Sequence, residues 1–345
     1  MSGDSRTSRR LAALLVATLV VGTGAILAAT GFDITQALRA LATGAFGSWY
    51  AFGSGTLVRA TPLILTGLAV AIAFRAGVFN IGAEGQFLVG AAAAAAVALA
   101  AHTLPRVVAI PAVLLAGSVA GGAWASIAAL LRVRFQVLEV ISTILLNFVA
   151  ANLVSYLVRG PLQEPTRVYP QTSTFAVATR LPRLGTATRL HAGFVIGVIA
   201  CLVAWWMIRN TAGGFRLRAV GASPDAARSA GGIDVARVTV SAFLVSGALA
   251  GLAGAIEVSG VTYALYENIS PGYGYTAIAV ALLARLDAAA VIGTGILFGA
   301  LEAGASAMQR DAGVPSVVVS VIEAGIILAL VAVQRVRVGG RTGTG

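Results

Sequence analysis

The sequence predicts an all-α, polytopic membrane protein with about ten transmembrane helices. Three observations carry this expectation. The 345 residues are 58% hydrophobic and only 11% charged, against about 25% charged residues in soluble domains. Apolar runs long enough to cross a bilayer recur along the whole chain. The arginines fall between those runs in a side-alternating pattern.

The first run, residues 11–29, follows Arg9 and Arg10. At 1.5 Å per residue it is about 28 Å long, enough to span the hydrocarbon. A basic start also fits a cleaved signal peptide, but this run is long for a signal core, and an even span count needs it. Further runs cover residues 61–74, 87–101, 107–131, 137–158, 192–208, 238–259, 275–283, 288–307 and 314–333. The shortest count as tilted or broken helices. Ten spans put both termini on one side, predicted to be the cytoplasm. Arg132, Arg134, Arg209, Arg216, Arg218, Arg228, Arg237, Arg335, Arg337 and Arg341 then all lie inside. Arg106 and Arg310 lie outside, and so does the longer segment 159–191 with its five arginines. Long segments obey the charge rule less strictly.

The whole chain, 1–345, is thus expected to form one transmembrane domain with two notable non-membrane segments and a disordered tail at 338–345. Segment 159–191 holds Pro161, Pro165, Pro170 and Pro182 and reads as an irregular extracytoplasmic cap. Segment 209–237 is cytoplasmic. In it Ser223 is a helix N-cap, Pro224 suits the first helical position, and Asp225 suits the positive helix end. Gly231 and Gly232 end the helix, which is expected over 224–230. It reads equally as a docking piece for a cytoplasmic partner and as a plain connecting turn.

The most informative stretch is Phe79-Asn80-Ile81-Gly82-Ala83-Glu84-Gly85-Gln86, set between two apolar runs. A carboxylate near the bilayer centre costs roughly 2.5–3.5 kcal/mol on the insertion scale. Glycines loosen the helix and free backbone groups that need partners. Such a break is tolerated where it is buried in protein or lines a wet cavity, so it predicts a path across the membrane. Glu139, Asn147, Asn152, Glu257, Glu302 and Glu323 also fall within runs. Each reads as a cavity-facing group or as a structural hydrogen bond between helices, and Glu139, close to Arg134, sits near an interface. Gly247 and Gly251, at i and i+4, form a small face for close helix packing.

Several chemistries are excluded or left without residues. All 24 basic residues are arginine, so no Walker A lysine exists and any ATP must be bound by another subunit. Neither an HExxH nor a GxSxG motif occurs. Cys201, the single cysteine, reads as a small apolar filler, and His102 and His191 as interfacial residues. No cofactor is expected in this chain. The basic excess of +11 fits membrane topology better than nucleic acid.

Four blocks carry a family resemblance. They are Phe74 through Gln86, Glu139 through Asn147, Leu217-Arg218-Ala219-Val220-Gly221 with Ser246 through Gly251, and Ile278 through Leu283 with Phe298-Gly299-Ala300-Leu301. In order and spacing they resemble permease subunits of bacterial ABC importers of the branched-chain amino acid, ribose and nucleoside superfamily, in the nucleoside and simple-sugar branch. The resemblance implies a type II importer permease fold with about ten helices. It implies two permeases per pore, the second a related but different chain, with ATPase subunits holding ATP-Mg below and an extracytoplasmic substrate-binding lipoprotein above. The location implied is the bacterial plasma membrane, with lipid around the chain. Asn80, Glu84, Gln86 and Asn147 become candidates for the substrate path. Segment 209–237 matches the family's coupling segment, which makes Arg218, Gly221, Pro224, Ala226, Ala227 and Gly231 candidates for ATPase coupling and favours docking over a plain turn. Two positions depart from the pattern: Ser229-Ala230-Gly231-Gly232-Ile233 stands where Tyr-Ala-Gly-Ile is usual, and Ala284 stands where glycine is common. The rival expectation is an ion- or proton-coupled secondary transporter with Glu84 as its coupling site.

Overall fold

In hydrocarbon every backbone N–H and C=O must find a partner within its own segment, so long apolar runs fold as helices. A computed structural model describes residues 32–315, 321, 324 and 325. The predicted first span at 11–29, most of the last at 314–333, Glu323 and the tail at 338–345 lie outside the described residues. Among the described residues, seven helices are long and apolar enough to cross a membrane, and the shorter Tyr273–Leu283 is an eighth apolar helix. These match the eight middle runs one for one. No strand forms among the described residues beyond two isolated bridges, Gln171 with Tyr266 and Arg183 with His191.

The chain forms two compact units. One comprises the described residues up to Thr56 together with those from Gly299 onward. It contains α1 (Ile34–Phe46), capped by Asp33, whose carboxylate accepts from the Thr35 and Gln36 amides at 2.8 and 3.1 Å. Ala37 and Ala40 of α1 are buried with Met308 and Val314. The Gln36 amide donates to the Asp311 carbonyl at 2.8 Å. Helix α1 is missing from the predicted runs, because Thr35, Gln36 and Arg39 interrupt its apolar residues.

The second unit, Leu57–Phe298, holds most of the bundle. Its helices are α2 (Val58–Arg75), α3 (Ala83–Ala100), α4 (Arg106–Phe135), α5 (Glu139–Arg159), α6 (Ala192–Asn210), α7 (Ala212–Ala222), α8 (Pro224–Gly231), α9 (Val235–Glu257) and α10 (Tyr273–Leu283). Helix α11 (Ala290–Asp311) begins in this unit. Helix α2 is apolar all round, and Leu63, Ile64, Leu65, Leu68 and Val70 are fully buried, so it forms the centre of the unit.

The seam between α4 and α9 is built from small residues. A Cβ on Gly247 would meet the Gly121 carbonyl and the Ala125 Cβ at 2.5 Å; one on Gly251 would stand 2.9 Å from the Gly121 Cα. The two backbones touch because neither side carries a side chain there. Segment 159–191 contains one 3₁₀ turn, Val177–Thr179. It is laced to the chain after α9 by amides of Thr172, Phe175 and Leu181, which donate to carbonyls of Leu265, Tyr263 and Ser259, each at 2.8 Å.

Candidate functional site: a polar helix break, a cavity and a two-helix segment

Helix α2 stops at Arg75, and Gly77 then turns the chain at φ +73°. The next helix begins only at Ala83, so residues 78–81 lie between two helices; the Val78 and Asn80 amides find the Ala73 and Val78 carbonyls, each at 3.0 Å, and the Phe79 and Ile81 amides turn to side chains. The side chains named from the sequence knit this break together. Asn80 and Gln86 form a reciprocal amide pair, with both N–H···O distances 3.0 Å. Asn80 also donates to the Ser246 hydroxyl of α9 at 2.9 Å and accepts from the Gly82 amide at 2.9 Å. Both amides are buried.

Asn147 on α5 closes the break from the other side. Its carbonyl accepts from the Gly85 amide at 2.8 Å, and its NH₂ donates to the Ile81 carbonyl at 3.0 Å. Gly85 sits in the first turn of α3, where amides have no intrahelical acceptor, so Asn147 serves as a cap supplied by another helix. A Cβ at Gly85 would stand 2.9 Å from the Asn147 oxygen, which is why a glycine fits there. The Thr143 hydroxyl, one turn earlier, accepts from the Ile81 amide at 3.3 Å. Glu84 accepts from the Gly274 amide in the first turn of α10 at 2.7 Å, and the Ser270 hydroxyl also bonds its carboxylate. Gly274 permits this approach, since a Cβ there would lie 2.5 Å from the Glu84 Cα.

Beside this network lies a cavity of about 370 Å³ whose polar lining includes Glu84, Asn147, Asn152, Ser155, Asn268 and Tyr275. Of the four path candidates, Glu84 and Asn147 reach the cavity, whereas Asn80 and Gln86 turn their polar atoms on each other behind it. Glu267 also lines it. Arg159 grips that carboxylate with two N–H donors at 2.7 and 2.6 Å, and the Ser155 hydroxyl donates to it as well. These bonds, Arg159 first, hold the Glu267 carboxyl down at about 2. Ser155, Glu267, Asn268, Ser270 and Tyr275 were not singled out from the sequence. The available signal was the polar cluster from Glu267 to Pro271 between two apolar runs.

Segment 209–237, the candidate for coupling, folds as two helices, α7 and α8, where the sequence predicts one. Ser223 ends the first and caps the second, accepting from the Ala226 amide at 3.3 Å. Gly231 is the last residue of α8, and Gly232 caps it at φ +57°. Arg218 donates to the Ile208 carbonyl at 2.5 Å, which ties α7 to the end of α6. Gly221 lies directly on the Arg75 carbonyl, with Gly77 beside it. The segment therefore touches the end of α2 just where the chain enters the break. Ala227 is buried, while Pro224 and Ala226 are exposed.

The remaining residues noted in the sequence fall in quieter places. Cys201 is fully buried. His191 caps α6, its Nδ1 accepting from the Gly193 amide at 3.2 Å. Among the described residues, no three His, Cys, Asp or Glu side chains are grouped to hold a metal ion.

Known proteins share this sequence over most of its length. Residues 52–331 match the family described as branched-chain amino acid transport system / permease component. A glucose ABC transporter permease protein of Haloferax volcanii is 40% identical, covering 94% of this chain and 88% of the relative. A guanosine ABC transporter permease protein of Bacillus subtilis is 38% identical, covering 96% of each. A nucleoside ABC transporter permease protein of Lactococcus lactis is 32% identical, covering 88% of this chain and 85% of the relative. No solved structure matches. With the family matched over residues 52–331 and relatives aligned nearly end to end, the chain belongs to the branched-chain amino acid transport system / permease component family.

Proposed function

We propose that this chain is the transmembrane subunit of an ATP-driven importer for nucleosides or simple sugars, forms half of its pore, and performs no bond chemistry itself. The observation that carries the reading is the contact of Gly221 with the Arg75 carbonyl. It joins the end of α7, which leads directly into α8 as the helix suited to an ATPase cleft, to the polar break that borders the cavity. Glu84 and Asn147 face the solute, while Asn80 and Gln86 hold the path open from behind. Arg218, Gly221, Pro224, Ala226, Ala227 and Gly231 form the coupling surface. Gly247 and Gly251 serve packing.

The cavity lining supports an uncharged, hydroxyl-rich solute. Its amides and hydroxyls can donate and accept, and Phe148 and Tyr275 offer flat apolar faces. Phe148 and Asn152 line the cavity and are exposed in the single chain. A second permease, related but different, would close the cavity by packing on that face of α5. An ATPase subunit binds ATP-Mg below, and a substrate-binding lipoprotein delivers solute above. The complex lies in a bacterial plasma membrane with both termini of this chain in the cytoplasm. Transport is then a two-state rocking of packed helices. The test is uptake of labelled guanosine, adenosine and glucose into proteoliposomes holding the full complex. ATP-dependent uptake of one class supports the reading. ATP-independent, proton-dependent uptake by this chain alone overturns it.

A further inference from the structure

A second cavity lies on the coupling side of the bundle. It measures about 400 Å³ and is lined by Arg132 at the end of α4, Gln136 and Glu139 at the α4–α5 corner, Val220 of α7, and Pro224 and Arg228 of α8. The corner is tight. Gln136 adopts the left-handed conformation at φ +56°, and its amide and that of Val137 return to the Arg132 and Leu131 carbonyls, each at 3.1 Å. Glu139 follows at once, buried, with one carboxylate oxygen ion-paired to Arg132.

The other oxygen of Glu139 accepts from the Phe79 amide at 3.4 Å, across from another pair of spans. The Glu139 carbonyl accepts from Thr143 at 2.6 Å, and Thr143 in turn accepts from the Ile81 amide. The first two turns of α5 therefore hold two backbone amides of the polar break. Phe79 is 53% exposed, with its ring edge-on to Phe74 at 5.2 Å. Arg228 also lines the cavity, and among the described residues its ion pair is a loose, exposed one with Asp225 at 3.6 Å. One buried carboxylate thus shares an open space with two guanidinium groups, of which Arg132 is paired with it.

We propose that Glu139 is the positioning residue that carries movement of α8 to the polar break: closing the cavity brings Arg228 to its carboxylate in place of Arg132 and releases the Phe79 amide. This rests on the import reading above. A buried carboxylate cannot be left unpaired, so the exchange makes the two arrangements discrete, as a switch between conformations requires. The exposed Phe79 ring then moves with its backbone, at the inner end of the path.

The experiment uses the complete complex in lipid nanodiscs, with ATP turnover measured with and without the loaded binding protein. Coupling between sites typically amounts to 5–150-fold, so Glu139→Gln and Arg228→Gln each reduce the stimulation about tenfold while basal turnover persists. Glu139→Asp restores a large part of it. Labelling of Phe79→Cys by a water-soluble maleimide changes rate on ATP binding in the parent protein, and Glu139→Gln abolishes that change; a merely structural Glu139 would leave it in place. Stimulation or labelling changes that survive in Glu139→Gln overturn the proposal, and so does full stimulation in Arg228→Gln. If the unsubstituted complex shows no stimulation, the import reading itself fails. If it is stimulated and both variants match it, only the Glu139 role fails.

Discussion

Asn147→Ala isolates the cost of holding the helix break shut. The substitution removes two short hydrogen bonds, to the Gly85 amide at 2.8 Å and the Ile81 carbonyl at 3.0 Å. The third, to the Tyr275 hydroxyl at 3.4 Å, is long and contributes little. A buried backbone group left without a partner costs about 1–3 kcal/mol, so the pair sums to about 2–6 kcal/mol. The cavity beside Asn147 admits water to part of the site, which places the loss near the lower end, about 2–3 kcal/mol. For a chain of 345 residues, with an unfolding entropy of about 0.7 kcal/mol/K, that lowers the melting temperature by about 3–4 °C. Asn152→Ala is the control: it lines the same cavity, but among the described residues its amide bonds only the Phe148 carbonyl of its own helix, at 2.8 Å. Thermal melting of both purified variants in one detergent makes the comparison. Equal melting temperatures for the two variants would refute the capping role of Asn147.

Other outcomes follow from the same geometry. Gly251→Leu forces a side chain into the Gly117–Gly121 backbone of α4, where overpacking costs at least about 1–3 kcal/mol, and the yield of monodisperse protein falls; Leu252→Ala nearby is the milder comparison. The Glu267 carboxyl is held at about 2 against an ordinary 4.5, chiefly by Arg159. Its contribution to stability is complete above 4.5 and is lost as pH falls toward 2, so Glu267→Gln flattens the melting temperature across that window. His191, just before α6, is pushed from 6.5 to about 4 by burial and then by Arg189. The unfolded chain takes up that proton first, so stability falls as pH drops from 6.5 toward 4, by up to about 1.4 kcal/mol per unit. His191→Asn keeps a capping acceptor and removes that slope.

Most of the bundle was legible because bilayer thickness and backbone satisfaction leave so few solutions for an apolar run. The break at Asn80 was legible for the same reason, since amides and an acid between glycines contradict an ordinary span. What escaped was partnership. Nothing in the sequence says that Asn80 bonds Gln86, six residues away, rather than a solute, or that Asn147 caps α3, since pairing across 62 residues depends on packing. Gly247 and Gly251 announced a close contact, but Gly117 and Gly121 became recognisable as its other side only once α4 and α9 were placed together. Helices α1 and α7 were missed because their polar residues dilute the apolar pattern. Ser223 and Pro224 did mark α8, because capping chemistry is local. Glu139 was expected near an interface beside Arg134; that its partners are Arg132 and the Phe79 amide was not legible.

The most direct measurement is ATP turnover by the reconstituted complex when the exposed face of α8 is spoiled. Pro224 and Ala226 are both exposed, so aspartates there leave the bundle core intact. Pro224→Asp with Ala226→Asp should leave the chain folded and inserted, yet reduce substrate-stimulated turnover and uptake together by about tenfold or more. Unchanged stimulation in a complex that still assembles would contradict the coupling of α8 to the polar break.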